Sequence, residues 1–327
     1  MYFSIMKIKA AVINQEGDFP KIQDHEIDVQ SGKVVVKIKA SALNHRDLWI
    51  VKGQYGRIKY PVILGSDGLV EYQGQEYIVN PGLYWGDNQA YQGDDFDILG
   101  MPSEGCFASH VQVEKQYLYK KPPHMSDEEA AALPLAGLTA YRALFSRADL
   151  QKREKVFISG IGGGVALFAL QFALANGNEV YVSSSSQEKI DQAIELGAKA
   201  GFNYRDDDMH KQVLKSVGAM DVIIDSAGGK GFEKLVNITG RGARISIYGG
   251  TRGTASFSPQ RLFWNQASIL GSTMGSESDF SKMLDFVNEY EVKPVVDKVF
   301  SIHQIEEAMN RMKEGMQFGK IVMKNDF

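Results

Sequence analysis

The chain has 327 residues, of which 44% are hydrophobic and 23% charged, and its formal net charge is −4. That length suffices for two globular domains. The sequence offers no basic run that would bind nucleic acid and no run of the roughly 20 apolar residues that a membrane span needs. The sole cysteine, Cys106, excludes an intramolecular disulfide and any zinc site built on several thiolates.

In chain order, the opening Met1-Tyr-Phe-Ser-Ile-Met6 is too short for the apolar core of a secretory signal and is followed by lysines, so a cytoplasmic location is expected. From Lys7 to about Pro122 short alternating runs at 8–13, 33–40, 68–72 and 108–113 predict a β-rich domain. Pro122-Pro123 ends it, and Ser126-Asp-Glu-Glu129 is a capping box for a helix through the alanines that follow.

The stretch Lys155-Val-Phe-Ile-Ser-Gly-Ile-Gly-Gly-Gly-Val-Ala166 carries the most information. It reads as a strand, a glycine turn and a helix N-terminus, an arrangement that holds a dinucleotide pyrophosphate on unpaired backbone N–H groups. A strand at 179–182, a helix at 187–196 closed by Gly197, and strands at 220–225 and 243–250 follow. Continuous apolar strands separated by helices imply a parallel sheet covered on both faces. In the tail, Ser301-Ile-His-Gln304 caps a helix whose Ile302, Ile305, Met309 and Met312 share one face, and Gly315 ends it.

The order of these parts resembles the medium-chain dehydrogenase/reductase superfamily, in particular its zinc-free, quinone-oxidoreductase-like members. The resemblance covers nearly the whole chain. It is carried by Ala42-Leu-Asn-His-Arg-Asp-Leu-Trp49, Leu64-Gly-Ser-Asp-Gly68, the segment 129–141, the glycine turn, Asn203-Tyr-Arg205 and Gln317-Phe-Gly-Lys-Ile-Val322. It implies an α/β chain with a doubly wound Rossmann domain at 123–275 and a discontinuous GroES-like domain at 1–122 and 276–327.

By the same resemblance the turn maps onto Gly160, Gly163 and Ala166, with Gly164 and Val165 opening the helix, and the implied cofactor is NADP(H). An NAD enzyme usually places Asp or Glu about 20 residues beyond the turn, at the ribose 2′-hydroxyl. Here Ser183-Ser-Ser-Ser186 and Lys189 stand there, so Ser184, Ser185 and Lys189 offer hydroxyls and a cation to a 2′-phosphate. The resemblance adds Tyr204, with Arg205 adjacent. The alternative is that Ser185 caps a helix in a Ser185-x-x-Glu188 box and Lys189 is a solvated charge. Asn44 and Thr139 match nicotinamide-contacting positions in related reductases, and Gly228, Gly249, Gly250 and Lys320 match cofactor-lining segments.

Zinc-dependent relatives place a Cys at Asn44, a His-Glu pair at Ser66-Asp67 and a second Cys near Leu135, so no metal site is expected. His45 reads as a hydrogen-bonding residue, and Asp47 and Asp67 as loop or turn carboxylates. Trp49 and Tyr55 match aromatics near the substrate in quinone reductases: Trp49 suits stacking on a planar, electron-poor acceptor and Tyr55 proton donation, with core packing the alternative for both. Tyr84, Trp85 and Tyr91 lie in a loop replacing the zinc lobe and are expected to rim the cleft. The expected activity is hydride transfer from NADPH to quinones or α,β-unsaturated carbonyls without zinc. The alternatives are a zinc-free alcohol dehydrogenase or carbonyl reductase, and a low-turnover NADPH-binding redox sensor. A homodimer is expected, joined near Ala267-Ser-Ile-Leu-Gly-Ser-Thr-Met-Gly275.

Overall fold

A computed structural model describes residues 4–56 and 58–327, so the first three residues of the Met1–Met6 opening lie outside it. The chain forms two compact units, one of Met1–Ala136 with Gly275–Phe327 and one of Gly137–Met274.

The first unit is β-rich, as the alternating pattern predicts. Strands β1 (Ser4–Ile13), β2 (Lys21–Val29) and β3 (Val34–Ala42) precede the short helix α1 (His45–Val51). They are followed by β4 (Val62–Ile63), β5 (Asp67–Tyr72), β6 (Gln75–Val79), β7 (Gly82–Leu83), β8 (Asp97–Ile98), β9 (His110–Val113) and β10 (Leu118–Lys120). Helix α2 (Asp127–Ala132) starts at the expected box, with Ser126 Oγ accepting from Glu129 N and the Glu129 carboxylate accepting from Ser126 N. Because α2 packs on β3 and β5, this unit continues past Pro122-Pro123. Helix α3 (Pro134–Tyr141) leads into the second unit and runs on as a π-helical turn, Arg142–Arg147, which the periodicity does not foretell.

The second unit is a six-stranded parallel sheet. Its strands are β11 (Lys155–Ile158), β12 (Glu179–Ser184), β13 (Ala200–Asn203), β14 (Met220–Asp225), β15 (Thr239–Ile247) and β16 (Ser268–Gly271). Between them lie α4 (Gly164–Ala175), α5 (Gln187–Glu195), α6 (Met209–Ser216), α7 (Phe232–Asn237) and α8 (Pro259–Trp264). The strand order 13-12-11-14-15-16 reverses direction beside β11, which opens a crevice at the carboxyl ends of β11 and β14. Phe157, Ile223 and Ile245 from three adjacent strands are fully buried in the core, as continuous apolar strands require.

The chain then returns to the first unit as α9 (Glu277–Glu289), β17 (Val296–Ser301), α10 (Ile305–Lys313) and β18 (Lys320–Lys324). Ile302, Ile305, Met309 and Met312 are all buried in the core of that unit, as their shared face predicts. Strand β18 adds antiparallel to β3, with Val322 opposite Ala42, while Asp67 of β5 lies opposite the same Ala42 on the other side. This register brings Asn44, Asp67 and Lys320 together at the ends of three neighbouring strands. Gly319 sets up Lys320: its φ is +119°, and a Cβ there would lie 2.3 Å from the Val295 carbonyl oxygen. Gly319→Ala is therefore expected to cost roughly 2–4 kcal/mol through strain and a forced backbone shift. A lowered urea midpoint at unchanged slope checks this, and an unchanged midpoint contradicts it.

Candidate active site

In the first unit the site is a buried polar knot. The Lys320 ammonium donates to Leu43 O at 2.8 Å, Asn44 Oδ1 at 2.7 Å and Asp67 Oδ2 at 2.8 Å, which uses all three of its protons. Asp67 accepts from Asn44 Nδ2 at 2.9 Å and, on its other oxygen, from Leu135 N at 2.7 Å. The side chains of Lys320 and Asp67 are 4% and 0% exposed, so water contributes little and the pair survives because every donor and acceptor is used. The Lys320 ammonium, in a segment that the resemblance assigns to the cofactor lining, is thus bonded to protein atoms and fixes the Asn44 amide. One Nδ2 proton of Asn44 remains beyond the bond to Asp67.

Asp47 and Asp67 lie in α1 and β5 and not in loops, and both are fully buried. Asp47 Oδ2 accepts from Asn44 N at 2.8 Å and so anchors the start of α1, while its Oδ1 has no partner. Burial pushes this carboxyl up from 3.8 to about 6, against the pull of Arg46, the Asn44 N–H and Lys320. Arg46, also buried, donates to Ser66 Oγ at 2.7 Å, Leu99 O at 3.1 Å and Met101 O at 2.9 Å. Its guanidinium lies 5.1 Å from the ring centre of Tyr55, which is 36% exposed, while Trp49 is half-buried with the Lys52 ammonium 5.1 Å from its ring. Tyr55 is thus no core aromatic. His45 is exposed, and no three His, Cys, Asp or Glu among the described residues converge to hold a metal. With an ammonium bonded to Asn44 and Asp67, the donor set does not fit zinc.

The loop after β7 departs from expectation in one residue. Trp85 is fully buried, with its ring edge-on to Phe96 at 5.2 Å and its Nε1 donating to Asn88 O, so it forms a small core of the loop and does not rim a cleft. Tyr84 Oη donates to Glu114, and Tyr91 is exposed.

In the second unit the glycine turn takes the shape the sequence implies. Gly160 and Gly162 have φ of +69° and +126°, and Gly163 has open space where a Cβ would stand. Gly163 caps α4 without a side chain, so the N–H groups of Gly164, Val165 and Ala166 in the first turn are left for an anion. Such a cradle fits a dinucleotide pyrophosphate. The Lys189 side chain runs across Gly162, with its Nζ 3.4 Å from the Cβ position there. A cavity of about 220 Å³ adjoins the turn, lined among others by Ser159, Gly160, Ser183, Tyr204, Asp225 and Arg252.

At the ribose edge the serines divide their work. Ser186, not Ser185, caps α5 by accepting from Lys189 N, and Ser184 Oγ is buried and accepts from Ser186 N at 3.2 Å. Ser185 Oγ accepts from Tyr204 Oη at 2.9 Å. Gly228 (φ +61°) and Gly249 let two loops touch, since a Cβ would lie 3.0 Å from Gly253 O and 2.6 Å from Ser226 O respectively; Gly250 meets nothing. Thr139 is buried in α3. The sequence reading missed Asp225, which binds Ser159 Oγ and accepts from Gly228 N at 2.8 Å, and Arg252, which donates to Tyr204 Oη at 2.9 Å.

Comparison with known proteins agrees with this architecture. Residues 30–123 match the alcohol dehydrogenase GroES-like domain, and residues 164–289 match the zinc-binding dehydrogenase domain. The chain is 32% identical to a zinc-type alcohol dehydrogenase-like protein of Schizosaccharomyces pombe, covering 98% of this chain and 100% of that one. It is 28% identical to the acryloyl-coenzyme A reductase of Metallosphaera sedula, covering 90% and 92%. The crystal structure of an NAD-dependent alcohol dehydrogenase superposes with a TM-score of 0.88 at 31% identity, covering 97% of this chain and 99% of that one. The two units thus define an oxidoreductase. The chain belongs to the medium-chain dehydrogenase/reductase superfamily.

The Asp47 environment gives a pH signature. Its carboxyl holds a proton more tightly in the folded state than in the unfolded chain. The resulting stabilisation is complete below about 3.8 and is lost as the pH rises to about 6. Relative to Asp47→Asn, the wild type should lose roughly 2 kcal/mol between pH 4 and 6. Denaturant titrations across that range check it, and parallel profiles for the two proteins contradict it.

Proposed function

We propose that this chain is an NADPH-dependent reductase of quinones or α,β-unsaturated carbonyls that works without zinc. The observation that carries the reading is the Lys320 ammonium bonded to Asn44 and Asp67. With a fixed organic cation there, polarisation of the substrate falls to a hydrogen bond. That is enough for an acceptor already electron-poor and weak for a simple alcohol or aldehyde.

Bound NADPH supplies a hydride from its nicotinamide. The turn at Gly160, Gly163, Gly164 and Val165 would hold the pyrophosphate on backbone N–H groups, and Ser185, Tyr204 and Lys189 would receive the 2′-phosphate. Asn44 would donate a hydrogen bond through its remaining Nδ2 proton to the acceptor's carbonyl oxygen, where negative charge grows during reduction. Lys320 holds that amide in place. Trp49 offers a face for a planar substrate, and Tyr55, exposed beside the Arg46 guanidinium, gives the proton that completes saturation of the alkene. The activated alkene named in the acryloyl-coenzyme A reductase relative supports this acceptor class. The likeness to an NAD-dependent alcohol dehydrogenase supports the second reading, an alcohol dehydrogenase or carbonyl reductase.

NADPH oxidation with a panel of enones, quinones, aldehydes and ketones, and the reverse reaction with alcohols, tests the two readings. Turnover confined to enones and quinones, at least tenfold reduced by Asn44→Ala, is expected; turnover confined to aldehydes or alcohols rejects the first reading. Lys189→Ala should weaken NADPH about tenfold and leave NADH nearly unchanged, since a charge-assisted phosphate contact contributes about 1.5–3 kcal/mol. Equal losses would assign Lys189 to the fold.

The same chain is proposed to form a homodimer through β16. Among the described residues that strand ends its sheet and pairs with β15 alone, beside Phe263 and Trp264, which are 58% and 81% exposed. Light scattering at micromolar concentration should give twice the chain mass, and a monomer rejects the pairing.

A further inference from the structure

We infer that Arg252 is a specificity-determining residue for the cofactor, a second cation whose guanidinium takes the 2′-phosphate together with Tyr204 and Ser185. This rests on the NADPH reading above and extends it to a residue that neither the glycine turn nor the serine run points to.

Three observations place Arg252 there. Its guanidinium stacks on the Tyr204 ring, 4.6 Å from the centre, and Nη2 donates to Tyr204 Oη at 2.9 Å. Tyr204 Oη in turn donates to Ser185 Oγ at 2.9 Å, which ties Arg252 to the end of β12, where an NAD enzyme would carry its ribose-binding acid. Arg252 and Tyr204 also line one cavity with Gly160 of the turn.

The backbone explains why the arginine is held at that spot. Arg252 N donates to Ala227 O at 2.8 Å and Gly229 N to Gly253 O at 3.0 Å, so the loop after β15 lies flat on the loop after β14. Such contact needs glycine at 229, where a Cβ would lie 2.6 Å from Arg252 Cβ, and at 249, where it would lie 2.6 Å from Ser226 O. A guanidinium stacked on a ring keeps a planar fork of donors in one orientation. Only one of those donors is used by Tyr204, and the others suit the oxygens of a phosphate dianion. The nearby Lys234 is committed differently, donating to the carbonyl oxygens of Tyr204 and Asp206.

Calorimetric titration of the full chain with 2′,5′-ADP, which carries the 2′-phosphate, and with 5′-AMP, which lacks it, tests the assignment without turnover. Arg252→Ala is expected to weaken 2′,5′-ADP tenfold or more and 5′-AMP less than twofold, with Arg252→Lys in between. Equal losses for both nucleotides, or none for 2′,5′-ADP, overturn the role of Arg252 while leaving the NADPH reading standing. If the wild type binds NADH as tightly as NADPH and does not favour 2′,5′-ADP, the NADPH reading fails and the role of Arg252 with it. Circular dichroism of each variant separates loss of fold from loss of contact.

Discussion

The chemistry of the first unit depends on one buried ion pair, Lys320 with Asp67. Two unit charges with side-chain exposures of 4% and 0% are tolerable only if every ammonium proton and both carboxylate oxygens have partners, because removing one partner of a buried pair typically costs 3–5 kcal/mol. Leu43 O, the Asn44 amide and Leu135 N complete the set. The interaction therefore orients an amide as well as joining β18 to β5 across β3. Asn44 also starts α1, where Asp47 accepts its N–H, so helix and knot fix each other.

The second unit answers a different constraint, that of bringing anionic groups close to backbone. Positive-φ glycines at 160 and 162 and a helix start without a capping side chain leave N–H groups in the first turn for phosphate oxygens. The loops after β14 and β15 repeat the device, using glycine to let two backbones touch and so fix where Arg252 lies. Local glycine content, which weakens regular structure, is here concentrated where ligand or loop must approach closely.

The glycine turn, the parallel strands and the Ser126 box were legible because each depends on residues within a dozen positions of one another. Capping was legible only to within one residue. Ser183 to Ser186 are chemically identical, and the strand's end alone decides that Ser186 caps and Ser185 meets Tyr204. The role of Lys320 was hidden because its partner Asn44 lies 276 positions away and only the pairing of β18 with β3 joins them. Arg252 was hidden similarly, reaching Tyr204 through a loop whose path depends on the packing of another loop. Trp85 misled because aromatics amid polar residues resemble a rim, whereas Phe96 supplies it with a partner inside the loop.

The central claim is that a lysine ammonium, and no metal ion, is the fixed cation beside Asn44 and Asp67. Elemental analysis of protein produced with added zinc and then dialysed tests it most directly. The account predicts far less than one zinc per chain and reductase activity indifferent to a strong chelator. One tightly held zinc per chain, lost together with activity on chelation, would contradict it.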